Sequence, residues 1–254
     1  MIDKDGKKNA ILDLYPITKL VMILSIMIIF SLFPGYKYSY LGFLIMIFIA
    51  IASNSFGRFM KTFLKTLFIL SIFIFIMRGL LTSGAEIVWQ WGILKLTKEG
   101  LLEALNMVSK LFIFGGGILL FFSVTDIEDF VITLEDKGMS PEASYVVLST
   151  FQTIPEMKKN AEAIMDAQKT RGVETEGNII LRAKAFFPTL GPLILSSIAS
   201  TEEKAITLEA RAFSAQCKKT RLKEIQERNV DKFIRILCYI FIFVAVIWRF
   251  LLWK

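Results

Sequence analysis

Two arginines stand out by their settings: Thr170-Arg171-Gly172 and Ala210-Arg211-Ala212. Each closes a charged amphipathic stretch and has small neighbours on both sides. Small neighbours leave a guanidinium free to enter a groove on another protein, where its planar fork suits a carboxylate. A plainer reading also stands at this point. Arginine is favoured near any helix C-terminus by the helix dipole, and these could be two ordinary surface residues.

Other chemistry is scarce. The 254 residues include no histidine, the commonest general base and metal ligand. No HExxH, GxSxG, Walker A or GxGxxG pattern occurs. The carboxylates lie mainly outside the apolar runs. No catalytic, cofactor-binding or metal-binding residue is therefore assigned. Cys217 and Cys238 form no CxxC pair and fit a reducing cytosol.

Two features sit inside an apolar run. Gly115-Gly116-Gly117 reads as close helix packing by small residues, with a hinge or a phosphate loop as alternatives. Lys110 precedes the triplet by five residues. A mid-membrane lysine costs roughly 2.5–3.5 kcal/mol on insertion scales. It serves a function, snorkels to the headgroups, or pairs with Glu103.

The elements that must position these residues are membrane helices. The chain is 54% hydrophobic with a mean hydropathy of +0.57, and residues 21–33 and 41–52 carry no charge. Crossing about 30 Å of hydrocarbon takes roughly 20 mostly apolar residues. Five spans are expected, at residues 17–33, 38–55, 63–81, 101–124 and 233–253. Lys65, Arg78, Arg235 and Arg249 lie near span ends, where long side chains snorkel, and Trp248 and Trp253 suit an interface. The charged first sixteen residues lack a cleavage site, so the first span is expected to be retained.

The net charge of +7 fits basic flanks of membrane spans better than a nucleic-acid surface, for which no aromatic-interleaved basic face exists. Lys4, Lys7, Lys8 and Lys19 precede the first span, and Arg58, Lys61 and Lys65 lie between the second and third. The loop between the first two spans holds Lys37 alone, and in the 82–100 loop Lys95 and Lys98 face Glu86 and Glu99. The positive-inside rule then puts the N-terminus in the cytoplasm and Lys254 outside.

Three regions follow: 1–124 with four spans, 125–231 as cytoplasmic helices, and 232–254 as the last span. In the middle region, Thr125-Asp126 starts one helix and Ser140-Pro141-Glu142 starts another. Pro155 is expected to bend the second, and Gly172 to stop it. A third helix is expected over 179–215, broken or bent by Pro188, Gly191 and Pro192. Residues 185–199, AFFPTLGPLILSSIA, are apolar enough for a span. Their prolines and the nearby Arg182 and Lys184 favour a helix lying against the membrane or the bundle.

The chain resembles the transmembrane T component of energy-coupling factor (ECF) transporters, importers of vitamins and of nickel or cobalt. Nearly the whole chain takes part. Leu14-Tyr15-Pro16-Ile17-Thr18-Lys19-Leu20 is similar to the family's opening, and Thr97-Lys98-Glu99-Gly100-Leu101 to its lead into a later span. Thr125-Asp126 with Leu134-Glu135-Asp136-Lys137-Gly138 resembles its first cytoplasmic helix. Gln168-Lys169-Thr170-Arg171-Gly172 and Glu209-Ala210-Arg211-Ala212 match its two Ala-Arg-Gly-type signatures, with Thr170 where alanine is common.

The resemblance implies a multi-pass protein of a bacterial-type cell membrane, all-α, with coupling helices on the cytoplasmic side. It implies two cytoplasmic ATPase subunits that receive Arg171 and Arg211 with their neighbours Thr170, Gly172, Ala210 and Ala212. It also implies a membrane-embedded S component that captures the substrate. The chain itself would need no cofactor and catalyse nothing. A secondary transporter would instead carry paired half-repeats with broken mid-membrane helices, and an intramembrane enzyme convergent acids and bases. Neither pattern is found in the sequence.

Overall fold

The computed structural model describes residue 12, residues 14–82, 87–91, 94–173, 178–215, 223 and 225–252. Lys4, Lys7, Lys8, Glu86, Cys217, Trp253 and Lys254 lie outside the described residues, as do the side chains of Lys95, Arg182 and Lys184.

Proline and glycine punctuate the first helices. Pro16, whose missing N–H is an orphan there anyway, opens helix α1 (Pro16–Leu32). Phe33 precedes Pro34 and is extended at ψ 132°, which ends the helix. Gly35 at φ +114° turns the chain into α2 (Tyr36–Ala52). Next come α3 (Phe56–Phe63), a π-helical turn (Leu64–Phe68) and α4 (Ile69–Leu81). These three pieces form one continuous rod, Phe56–Leu81. The third span thus belongs to a helix that starts seven residues before the expected Phe63.

The 82–97 connection holds a feature the sequence reading missed. Strands β1 (Ile87–Trp91) and β2 (Leu94–Thr97) pair antiparallel. This ribbon is the one departure from an all-α fold among the described residues. Thr97 then caps α5 (Lys98–Val124), its Oγ1 accepting from Gly100 N–H at 3.1 Å and donating to the Thr82 carbonyl at 2.9 Å.

Helix α6 (Ile127–Asp136) follows, then α7 (Pro141–Thr170), α8 (Ile179–Ala210) and α9 (Asn229–Leu252). Ser140 Oγ accepts from Ala143 N–H at 3.2 Å and so caps α7. Helix α8 runs without interruption through Pro188 and Pro192, so of the expected break or bend there is no break.

The chain forms two compact units. One holds the residues up to 137 and those from 225 onward, and the other is Gly138–Glu224. In the first unit α5 is central, packing on α1, α2 and α4, while α9 lies along α1. Half of α5's apolar stretch is buried, against 17% for the Phe56–Leu81 rod and 11% for α9. The outer helices therefore carry their apolar side chains on the outside, Phe73 and Leu81 on one and Phe241 and Phe250 on the other. Such a surface suits a lipid solvent.

By length and composition, three described helices can cross a membrane: the Phe56–Leu81 rod, α5 and α9. Helices α1 and α2 are shorter apolar helices of 17 residues each, at the short end of the usual range of about 17–25. Helix α8 is not among the long apolar ones. The fold is that of an all-α integral membrane protein.

Candidate functional site

Arg171 and Arg211 occupy the same position in the same helix-ending motif. At the end of α7, Val173 N–H reaches the Gln168 carbonyl at 3.1 Å and Gly172 N–H reaches the Lys169 carbonyl at 3.0 Å. At the end of α8, Phe213 N–H reaches the Leu208 carbonyl at 3.0 Å and Ala212 N–H the Glu209 carbonyl at 2.9 Å. Both are Schellman caps, in which a left-handed residue lets the last carbonyls find donors. Gly172 and Ala212 supply that conformation at φ +85° and +56°.

Each arginine is thus the last residue before the chain reverses. Both are exposed, and neither pairs with a carboxylate among the described residues. The carbonyl ends of the two helix dipoles favour the cations there.

Three contacts fix how α7 and α8 run. Gln168 Nε2 donates to the Pro188 carbonyl at 3.3 Å, Lys204 Nζ lies 3.3 Å from Glu156 Oε2, and the Tyr145 and Phe213 rings are 5.4 Å apart. Contacts climb one helix as they descend the other, so the pair is antiparallel. Arg211 therefore lies beside the start of α7, and Arg171 at its far end. At ~1.5 Å per residue, the helix between the Tyr145 level and Arg171 is about 39 Å long. The two arginines are held apart, at opposite ends of the helix pair.

The glycine triplet lies in the other unit, where each member meets a different helix. A Cβ on Gly115 would lie 2.7 Å from Leu67 in the π-helical turn. On Gly116 it would lie 2.9 Å from the Phe43 ring of α2, and on Gly117 2.5 Å from Met27 Sδ of α1. Phe43 also stacks on Phe63 at 4.9 Å and touches Phe112 at 5.2 Å. These residues line the core around Ile113 and Leu120.

Lys110 is exposed on α5. Glu103 is taken instead by Arg78, 3.6 Å away, so the Lys110–Glu103 pairing is not formed. Lys19, read above as a flanking basic residue, is 5% exposed. Its ammonium donates to the carbonyls of Leu12 at 2.8 Å and Val124 at 3.3 Å. Val124 ends α5, where carbonyls point outward and a cation is favoured.

Two polar residues went unassigned in the sequence. Asp231 is fully buried and accepts from Tyr15 N–H at 2.9 Å and Arg228 N–H at 3.0 Å. It holds the starts of α1 and α9 together. The sequence placed residue 231 at the end of the cytoplasmic region rather than in the first turn of α9, and its partner is 216 positions away. Gln168 stood inside a quoted motif with no role. Pro192 marks the carbonyl four residues earlier as needing a donor, but not which residue supplies it.

The apolar helices around α5 define a multi-pass, helical integral membrane protein. The family model described as cobalt transport protein (CbiQ) matches residues 7–222. The chain is 30% identical over 228 residues to the energy-coupling factor transporter transmembrane protein EcfT of Ruminiclostridium cellulolyticum, covering 85% of this chain and 84% of that one. It is 34% identical over 185 residues to the EcfT of Clostridium kluyveri, covering 69% and 68%. With the EcfT of Lactococcus lactis it shares 24% identity over 90% of its own length and 89% of the relative's. The chain belongs to the CbiQ/EcfT family and is a transmembrane T component of an ECF transporter.

Proposed function

We propose that this chain is the coupling subunit of an ECF-type importer for a vitamin or a transition metal. Two cytoplasmic ABC ATPase subunits bind it, one at Arg171 and one at Arg211. ATP-driven closure of the ATPases moves α7 and α8, and that motion reorients a membrane-embedded S component carrying the substrate. The ATPases hydrolyse the nucleotide, and this chain supplies no catalytic group. Residues 125–231 are cytoplasmic, the N-terminus is inside and the C-terminus outside.

One observation carries the reading: two identical arginine caps stand at opposite ends of one antiparallel helix pair. Two like ATPases present two like grooves, and a pair of matched, separated arginines suits them. The packing role of Gly115, Gly116 and Gly117 is supported by the distances to Leu67, Phe43 and Met27.

The test is copurification of the ATPases with the chain, together with substrate uptake, for Arg171→Ala, Arg211→Ala and the double variant. Loss of the ATPases or of uptake in the double variant is expected. Wild-type values there would reduce both residues to ordinary surface arginines.

A further inference from the structure

Helix α8 has a built-in weak point. Proline has no N–H, so Pro192 cannot donate to the carbonyl of Pro188, and its ring crowds that carbonyl. The missing donor comes from the neighbouring helix, where Gln168 Nε2 lies 3.3 Å from the Pro188 oxygen. The amide nitrogen is the only group of Gln168 that fits there, because its own carbonyl would face another acceptor. The Gln168 side chain is not a loose surface group, since the residue is 9% exposed. Beside the contact, Thr189 of α8 is fully buried.

The main chain of Gln168 does separate work. Its carbonyl accepts from Arg171 N–H and Val173 N–H, each at 3.1 Å. One residue thus holds the cap that carries Arg171 with its backbone and the proline turn of α8 with its side chain.

We propose that Gln168 is a positioning residue that ties Arg171 to the Pro188–Pro192 turn of α8, so that a displacement of Arg171 is passed to α8. Without the tie, a pull on Arg171 is absorbed by the last turn of α7 while the weak turn of α8 stays behind. The proposal rests on Arg171 being a contact to an ATPase subunit.

The test uses the assembled complex with its ATPases and S component. Gln168→Glu keeps the size of the side chain but, ionised, has no donor. It should retain the ATPases and their hydrolysis rate, while uptake per ATP hydrolysed falls by roughly 2–10-fold, the factor matching one lost hydrogen bond. Pro192→Ala returns an N–H to the Pro188 carbonyl. Gln168→Glu with Pro192→Ala should therefore regain any lost stability, yet remain uncoupled relative to Pro192→Ala alone. If Gln168→Glu prevents assembly, the ratio in that double variant decides.

A wild-type ratio in Gln168→Glu overturns the proposal. So does recovery of uptake per ATP in the double variant, which would reduce Gln168 to a filler of one polar gap. In either case, release of the ATPases by Arg171→Ala with Arg211→Ala leaves the arginine reading standing. Retention of the ATPases together with wild-type uptake in that variant removes both readings together.

Discussion

Gly172 and Ala212 fill the same left-handed position after the two arginines, at φ +85° and +56°. The two differ in what that conformation costs. A side chain in the left-handed region is disfavoured by about 1–2 kcal/mol, whereas glycine adopts it freely. Nothing lies within 4 Å of a Cβ built on Gly172, so the backbone alone sets the penalty. Gly172→Ala should lower the stability of residues 138–224 by ~1 kcal/mol. Ala212→Gly should be neutral or gain up to ~1 kcal/mol, because relief of strain outweighs or matches the added freedom of the unfolded chain. Thermal unfolding of the detergent-solubilised chain reads both, and a loss for Ala212→Gly would contradict the shared motif.

Loss of one arginine should be milder than loss of both. Truncating one partner of a buried, hydrogen-bonded charge pair costs about 2–5 kcal/mol. If each arginine holds one ATPase as proposed, the surviving contact should keep its ATPase in place and raise the effective concentration of the other. Arg171→Lys and Arg211→Lys should rescue only in part, since lysine keeps the charge without the bidentate fork. Full ATPase retention and uptake in both lysine variants would rule out a geometric role for the guanidinium.

Gly116→Leu should damage the first unit. The Phe43 ring sits 2.9 Å from where the Cβ would be and is held by Phe63 and Phe112, so it has little freedom to yield. Overpacking of this kind costs about 1–3 kcal/mol. Gly57→Leu is the control, since nothing lies within 4 Å of its Cβ position. Recovery of the folded complex should drop for Gly116→Leu and hold for Gly57→Leu. Equal recovery of the two would place the triplet outside the packing.

Asp231→Ala should loosen α9 from α1. It strands the N–H groups of Tyr15 and Arg228, which the carboxylate now accepts. The Tyr15 N–H is the buried one of the two, and a buried donor left unsatisfied costs about 1–3 kcal/mol. Asp231→Asn should lose less, because its single amide oxygen still accepts. A melting temperature unchanged by Asp231→Ala would show that the two helix starts hold without it.

Topology is tested at the ends of the chain. With Cys217 and Cys238 replaced by serine, a single cysteine near residue 3 should label only from the cytoplasmic side and one at the C-terminus only from outside. Labelling of both from one side would overturn the odd number of spans.

The apolar runs determined the membrane class by themselves, because a charge-free stretch of helical length has few other homes than a bilayer. Pro141 and Gly172 marked helix ends for local reasons: a fixed φ with a missing donor, and a permitted positive φ. The small neighbours of Arg171 and Arg211 were legible as well. Their equivalence was not, since Ala212 carries no glycine signature and its left-handed turn emerges only in the cap. The ribbon Ile87–Trp91 with Leu94–Thr97 was also hidden, because pairing is made by backbone groups in a short, mixed segment. Only the tertiary structure set Asp231 against Tyr15, Lys19 against Val124 and Gln168 against Pro188. In each case a buried donor or acceptor needs a partner. The sequence displays the need, but the choice of partner is made by distant helices as they pack.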